Sequence, residues 1–502
     1  MLSQVKSFAI VGLDVHEVEV QVKISPGKFR FAIVGLADKS INESTQRVEA
    51  AILSMGLSFP DGKITVNLSP SNLPKEGSHF DLAIAVALLC AMSVLKEEDF
   101  SNYFILGELS LDGSINSVNG ILAAAIKANE KKYGLICPFN NGCEASFASK
   151  DLKILTPKSL VSLIAHFKKN QEIARPTFKK IENLQKYDDF CDVKGQQHAK
   201  RALEIAAAGG HNLLMIGPPG SGKSMLAQRL PSVLPDLSVQ EILDINMIYS
   251  ISGLIDKNGL KNTIPFRSVH NSCSMAAMVG GGKKIKAGEI TLAHLGILFL
   301  DELPEFSSQV LDSLRAPLET GKITISRAND HVTYPANFQL IAAMNPCKCG
   351  FLFDVNKKCN KAPICGQNYS GKISGPILDR IDIAINVDAV DIFDTQNANN
   401  SSEKSADIKK RVTMARNIQQ KRYKNSKFNK NSQIDGEILK NFTQIDDQTQ
   451  NFLKQNLKNS SITMRGFNRI LRVARTIADL DQREKINKND LLEAISYRRI
   501  RY

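Results

Sequence analysis

The sequence predicts an α/β protein in three parts. A mixed α/β domain spans residues 1–165, an α/β core built on a parallel sheet spans 191–390, and a helical domain spans 391–502, with a linker at 166–190. Three observations predict this. The first 165 residues alternate strand-like and helix-like patterns. An apolar strand at 212–216 runs into a glycine-rich turn and then a helix. Near the C-terminus Phe467, Ile470, Leu471, Ala474 and Ile477 recur at the i, i+3, i+4, i+7 spacing of one helix face. At 502 residues the chain also favours several cores over one.

The elements follow in order. The N-terminus has only a short apolar run and no cleavage site, so it reads as a first strand and not as a leader. Residues 18–24, VEVQVKI, alternate with the period of a half-buried strand. Residues 38–56 read as an amphipathic helix, with Asp38 as N-cap and Gly56 as its stop. Residues 62–68 read as a strand and 120–131 as a helix. The longest apolar stretch, 82–95, is too short to span a bilayer and reads as a buried helix. From about 167 to 189 the chain is polar and lysine-rich, as a linker would be. After the core, QNANNSSEKSAD is an Asn/Ser-rich breaker, and the remainder is helical in pattern.

Composition narrows the function classes. With 43% hydrophobic and 23% charged residues, the chain can bury cores and is not a disordered protein. Its net charge of +13 suits a polyanionic partner such as DNA. Nine cysteines without a secretory leader point to a reducing, cytoplasmic setting and away from a disulfide scaffold or a membrane protein.

Gly217, Pro218, Pro219, Gly220, Ser221, Gly222, Lys223 and Ser224 fit the phosphate-binding pattern G-x-x-x-x-G-K-[ST]. Glycines let backbone N–H groups turn inward around phosphates at a helix N-terminus. Lys223 is placed to reach the β and γ phosphates of ATP, and the Ser224 hydroxyl to ligate Mg²⁺. Residues 296–302, GILFLDE, read as a buried strand ending in two carboxylates, where parallel sheets place ligands. Asp301 would hold Mg²⁺ and Glu302 would polarise the attacking water. Residues 341–344 form a further strand, and Asn345 at its end could orient that water.

Together DVKGQ at 192–196, GPPGSGKS, GEITLAHLGILFLDELPEF, AAMNPCKCG and ISGPILDRIDI resemble the Mg-chelatase-like clade of AAA+ ATPases. Within it they resemble the ComM (YifB) family, a likeness that covers nearly the whole chain and includes the helical SITMRGFNRILRVARTIADL. The resemblance implies an AAA+ P-loop core, a helical lid at 391–502 and an N-terminal domain like that of Lon proteases and ribosomal proteins. It implies that Arg380 is an arginine finger acting on a neighbouring subunit's ATP, Arg465 a sensor arginine on the lid, and Asn345 the first sensor. It further implies a homo-hexameric DNA motor driving branch migration in natural transformation or homologous recombination. A chelatase-like or chaperone-like remodeller of a protein partner is the alternative. In the N-terminal domain, LPKEGSHFD at 73–81 looks like a Lon active-site stretch. His79 stands at the nucleophile's position and no lysine base follows in 118–124, so this domain is expected to be non-proteolytic.

Further features belong to the core and beyond. Cys347, Cys349, Cys359 and Cys365 have the spacing C-x-C-x₉-C-x₅-C, which can close around a tetrahedral Zn²⁺, with reduced unligated thiols as the alternative. Lys283, Lys284 and Lys286 lie on a glycine-rich loop between the two nucleotide motifs and are candidate DNA-backbone contacts. The stretch 322–327 looks like part of a hairpin. The block PFRSVHN at 265–271 resembles a family block usually bearing two histidines. Asn271 replaces the second, so no metal is expected there. In 409–430, cations interleave with Tyr423 and Phe428, a pattern of either a solvated helix or a single-strand contact.

Overall fold

The computed structural model describes residues 1–36, 38–177, 187–255, 260–282, 286–326, 331–352, 359, 361–388, 403–426, 428–443, 445 and 463–498. Residues 396–402 of the breaker, part of the linker and the two lysines Lys283 and Lys284 lie outside the described residues. Two compact units result: Met1–Glu182 with Val239–Asn262, and Asn183–Ser238 with Thr263–Tyr502. No described helix is long and apolar enough to cross a membrane.

The first unit is built on a mixed seven-stranded sheet. Its order is Arg30–Val34, Lys63–Ser69, Asp14–Ser25, Leu2–Val11, Tyr103–Ile105, Gly134–Ile136 and Ile154–Leu155. Leu2–Val11 pairs antiparallel with Asp14–Ser25 over its full length, because a tight turn joins them. The expected buried helix is Asp81–Ala91, with ten of its eleven residues buried, which explains an apolar pattern without a polar face. The expected helix over 38–56 is two helices, Lys39–Asn42 and Ser44–Ser54. Asp38 does cap the first, accepting from Ile41 N at 2.9 Å. The break falls at Glu43, and the Ser40 carbonyl accepts from Arg47 Nη2 at 3.1 Å.

The segment Val239–Asn262 lies, in sequence, inside the stretch expected to form the nucleotide core, yet it groups with the first unit. Its helix, Val239–Ile251, brings Ser250 to a buried carboxyl. Glu144 accepts from Leu122 N at 3.0 Å, from Asn141 Nδ2 at 3.0 Å and from Ser250 Oγ. Burial raises the Glu144 carboxyl above its ordinary pKa, and these donors pull it partly back.

The second unit holds a five-stranded, all-parallel sheet in the order Phe266–Val269, Ile297–Leu300, Gln339–Met344, Leu213–Ile216 and Ile383–Asn386. Leu213–Ile216, Ile297–Leu300 and Gln339–Met344 are wholly buried, as strands covered on both faces must be. Helices Ser405–Arg422, Gly436–Phe442, Met464–Leu480 and Lys488–Ser496 pack in this same unit. Ile470, Leu471, Ala474 and Ile477 are buried in one cluster with Leu213, Met215 and Ile383, and Phe467 packs against it. The C-terminal helices thus share a core with the sheet. Lys322–Ser326 and His331–Pro335 form the expected antiparallel hairpin.

Candidate active site

Parallel alignment puts every carboxyl end of this sheet on one edge. Leu213–Ile216 delivers Gly217, Ile297–Leu300 delivers Asp301 and Glu302, Gln339–Met344 delivers Asn345, and Phe266–Val269 leads within two residues to Asn271. The order matters because Gln339–Met344 sits between the phosphate-loop strand and the carboxylate strand. Asn345 therefore emerges between the two motifs.

The loop after Ile216 closes onto helix Lys223–Arg229. Gly220 and Gly222 hold positive φ of 78° and 85° with open space where a side chain would begin. That conformation suits glycine and leaves the backbone free to approach an anion. Lys223 is 7% exposed, and its Nζ donates to Gly217 O and Pro218 O at 2.8 Å each and to Asn345 Oδ1 at 3.3 Å. Burial lowers the Lys223 ammonium below the usual lysine range, with Asp301 and Glu302 opposing. A partly desolvated cation of this kind gains most from an arriving polyanion.

Ser224 Oγ donates to Asp301 Oδ2 at 2.6 Å. A hydroxyl and a carboxylate at that separation are hard oxygen donors of the kind Mg²⁺ takes. Asp301 Oδ1 accepts from Glu302 N at 2.9 Å. Glu302 itself sits in the left-handed region at φ 52°, an uncommon place for a side-chain-bearing residue and one found at functional turns. Its Oε2 accepts from Asn271 Nδ2 at 2.9 Å. The loop cradle, the serine–aspartate pair and the buried lysine fit a Mg²⁺–nucleotide.

The structure brings together Gly217–Ser224, Asp301, Glu302 and Asn345. Arg380 lies just past helix Gly375–Leu378, half-buried, ion-paired with Glu319 and donating to Pro376 O at 2.6 Å. Arg465 is exposed in the first turn of Met464–Leu480 and makes no ion pair with a described residue. Lys286 is exposed on Lys286–Ala287, which pairs antiparallel with Gly280–Gly281. The four cysteines converge, their sulfurs all within 4.8 Å of one another.

Several cations of the segment 409–430 are paired within the protein. Lys409 pairs with Asp236, Arg411 with Glu204 and Glu403, and Arg422 with the buried Asp479. Tyr423 is buried and donates to Asn431 Oδ1 at 2.8 Å, so its ring is unavailable for base stacking. In the first unit, Ser78 Oγ donates to the Glu108 carboxylate and the His79 ring bonds Phe8 O at 2.8 Å. The buried Lys75 Nζ donates to the Pro70 carbonyl.

Sequence reasoning misses Asn271 at the site and Glu319, the ion-pair partner of Arg380. Asn271 enters it only as the residue that replaces a histidine. Its signal is its place two residues past a strand of its own, as Glu302 is two past the neighbouring one. Glu319, the partner of Arg380, carries no local signal at all.

An all-parallel sheet with a glycine-rich loop after one strand and paired carboxylates after another, separated by a polar strand end, defines a P-loop nucleotide-binding fold. Family profiles agree. "Magnesium chelatase, subunit ChlI" matches residues 189–395, "Subunit ChlI of Mg-chelatase" matches 20–141 and "Magnesium chelatase, subunit ChlI C-terminal" matches 402–498. The chain is 39% identical over 499 residues to the uncharacterized protein YifB of Salmonella typhimurium, covering 99% of this chain and 97% of that one. It is 38% identical over 503 residues to the competence protein ComM of Haemophilus influenzae, with the same coverage. Similarity to the magnesium-chelatase 38 kDa subunit of Rhodobacter capsulatus is 25% over 174 residues, covering 31% of this chain and 50% of that one. The chain belongs to the ComM/YifB family of Mg-chelatase-like AAA+ proteins.

Proposed function

We propose that this chain is an ATP-hydrolysing motor that works as a homo-hexameric ring on single-stranded or branched DNA in the cytoplasm, as a branch-migration helicase in natural transformation or recombination. The observation that carries the ATPase part is the 2.6 Å bond between Ser224 Oγ and Asp301 Oδ2, with Glu302 next in the chain. Support for DNA is the +13 charge and the likeness to a protein named for competence. None of the nine cysteines is joined in a disulfide, in keeping with a reducing compartment. Residues 1–165 are read as a non-proteolytic, Lon-like domain.

In this reading Lys223 neutralises charge on the terminal phosphates and Glu302 takes the proton of the attacking water. Asn345 fixes that water, while Arg380 of an adjacent subunit offsets charge developing on the transferred phosphoryl group and Arg465 contacts it from the C-terminal helices. Ser224 and Asp301 would hold Mg²⁺, which when bound polarises the phosphoryl oxygens.

The test is ATP turnover by the full chain alone, with single-stranded DNA and with a four-way junction. Stimulation by either DNA is the expected result. Turnover indifferent to DNA would favour the second reading, a remodeller of a protein partner, which the likeness to a chelatase subunit supports. Absence of turnover under every condition would overturn both.

A further inference from the structure

The four clustered cysteines come from two short pairs on either side of nine intervening residues. Cys347 and Cys349 leave the end of strand Gln339–Met344, two and four residues past Asn345. Cys359 and Cys365 stand before and within the first turn of helix Ile364–Ser370. Backbone bonds set each pair: Gly350 N to Cys347 O at 2.9 Å, Ala362 N to Cys359 O at 3.0 Å, and Cys365 N to Lys361 O at 2.9 Å. All four sulfurs lie within 4.8 Å of one another, and among the described residues no other group of three or more His, Cys, Asp or Glu converges in this way. Four thiolates at about 2.3 Å from one ion lie about 3.8 Å apart, so the cluster is of the size a tetrahedral site requires. Soft thiolate donors in that number select Zn²⁺ over the hard cations.

The cluster also touches the phosphate loop. Gly350 holds φ at +85°, and a side-chain carbon there would run into the Pro219 ring. At the other end of the same short turn, Asn345 Oδ1 accepts from Lys223 Nζ at 3.3 Å. Leu352 closes over Gly366 at the far side, tying the first pair to the second.

We propose that Cys347, Cys349, Cys359 and Cys365 bind one structural Zn²⁺, and that this staple holds Asn345 and Gly350 against the phosphate loop, so that metal loading sets nucleotide affinity. The metal half stands on the cysteines alone. The coupling half rests on the reading of Gly217–Ser224 as the nucleotide cradle.

The test begins with metal content of the full chain purified without a polyhistidine tag. One zinc per chain is expected, with loss in Cys359→Ser and retention in Cys273→Ser. Because a cysteine variant can fail to fold, the metal-stripped wild type is also titrated with Co²⁺. Tetrahedral thiolate coordination gives intense visible d–d bands and a near-ultraviolet charge-transfer band at one equivalent. A chain without zinc that also lacks these bands overturns the site. For the coupling, binding of a fluorescent ATP analogue is compared in zinc-loaded and stripped protein. A weakening of about tenfold on stripping, reversed by Zn²⁺ in constant Mg²⁺, is expected. Equal affinities overturn the staple and leave the metal site standing. A zinc-loaded chain that binds no nucleotide overturns the cradle instead.

Discussion

Asn271 Nδ2 donates to Glu302 Oε2 at 2.9 Å, tying the end of one strand to the carboxylate at the end of the next. Phe266–Val269 and Ile297–Leu300 run parallel in register, Val269 opposite Leu300, so residues two past each strand emerge side by side. Asn271 thereby holds the Glu302 carboxylate in place. Glu302→Gln is expected to keep ATP binding while turnover falls by orders of magnitude, since the phosphate and Mg²⁺ contacts lie elsewhere. Near-normal turnover would remove Glu302 from its role. Asn271→Asp offers a sharper reading. A second carboxylate at that distance raises one of the two pKa values, because two negative charges cannot comfortably share the site. The acidic limb of the turnover profile will therefore move to higher pH, and a profile identical to wild type would show that the contact does not orient the base.

Arg380 is held by Glu319 within its own chain, which leaves the guanidinium near the surface. Arg380→Ala is expected to leave ATP binding intact and to abolish hydrolysis by the assembly. If the arginine serves a neighbouring subunit's ATP, mixing this variant with Lys223→Ala will restore part of the turnover, because some interfaces pair an intact loop with an intact arginine. Mixed assemblies that form without recovering any turnover would exclude action between subunits.

The phosphate loop and the Asp301–Glu302 strand end are legible in the sequence because each is contiguous: strand, turn and helix follow one another along the chain. Asp38 as a cap is legible for the same reason. What escapes depends on sheet register or on long-range return of the chain. Asn271 reaches Glu302 only because two strands pair in one register. Val239–Asn262 reads as part of the nucleotide core by contiguity, yet Ser250 is drawn to the buried Glu144 of the first unit. The 409–430 segment shows a further kind of illegibility. Its charge pattern fits either a solvated helix or a single-strand contact, and the partners of Lys409, Arg411 and Arg422, namely Asp236, Glu204 and Asp479, lie tens to hundreds of residues away.

A buried ion pair makes the first unit sensitive to one substitution. Arg47 Nε and Nη2 donate to Asp81 at 2.6 and 3.0 Å, and the Asp81 side chain is fully buried. Arg47→Met strands that carboxylate and is expected to cost about 3–5 kcal/mol. Adding Asp81→Asn will recover part of the stability. Denaturant unfolding followed by a probe in the first unit measures both, and a single-variant cost below about 1 kcal/mol would mean solvent reaches Asp81.

His79 makes the same unit sensitive to acid. Burial pushes its imidazole down to about 4, against a smaller upward pull from Phe8 O and Asp38. The unfolded chain, with an ordinary histidine near 6.5, binds the proton more tightly than the folded one. Stability attributable to His79 is therefore full above about pH 6.5 and is lost progressively down to about pH 4, by up to about 3 kcal/mol. His79→Gln keeps an N–H for Phe8 O and removes the titration. The difference in stability between variant and wild type will narrow as pH falls through that window, and a constant difference would assign the acid sensitivity to other groups.

The DNA reading has its own test on the glycine-rich loop. Lys286 is exposed on the strand that follows the loop, and Lys283 and Lys284 precede it by three and two residues in sequence. Lys283, Lys284 and Lys286 changed together to alanine are expected to weaken DNA binding without ending basal ATP turnover, because none belongs to the phosphate loop or the carboxylate strand. A lysine that no longer neutralises a phosphate no longer releases its counterion, so the slope of log K against log[salt] should shrink by up to about 2 to 3 units. Base preference should barely change, since phosphate contacts position a strand without reading it. Binding to a fluorescent single strand across a salt series, at matched oligomer content, measures the slope directly. Identical slopes and affinities would move the DNA interface off this loop. The exposed face of the Lys322–Ser326 and His331–Pro335 hairpin would then be the next surface to neutralise.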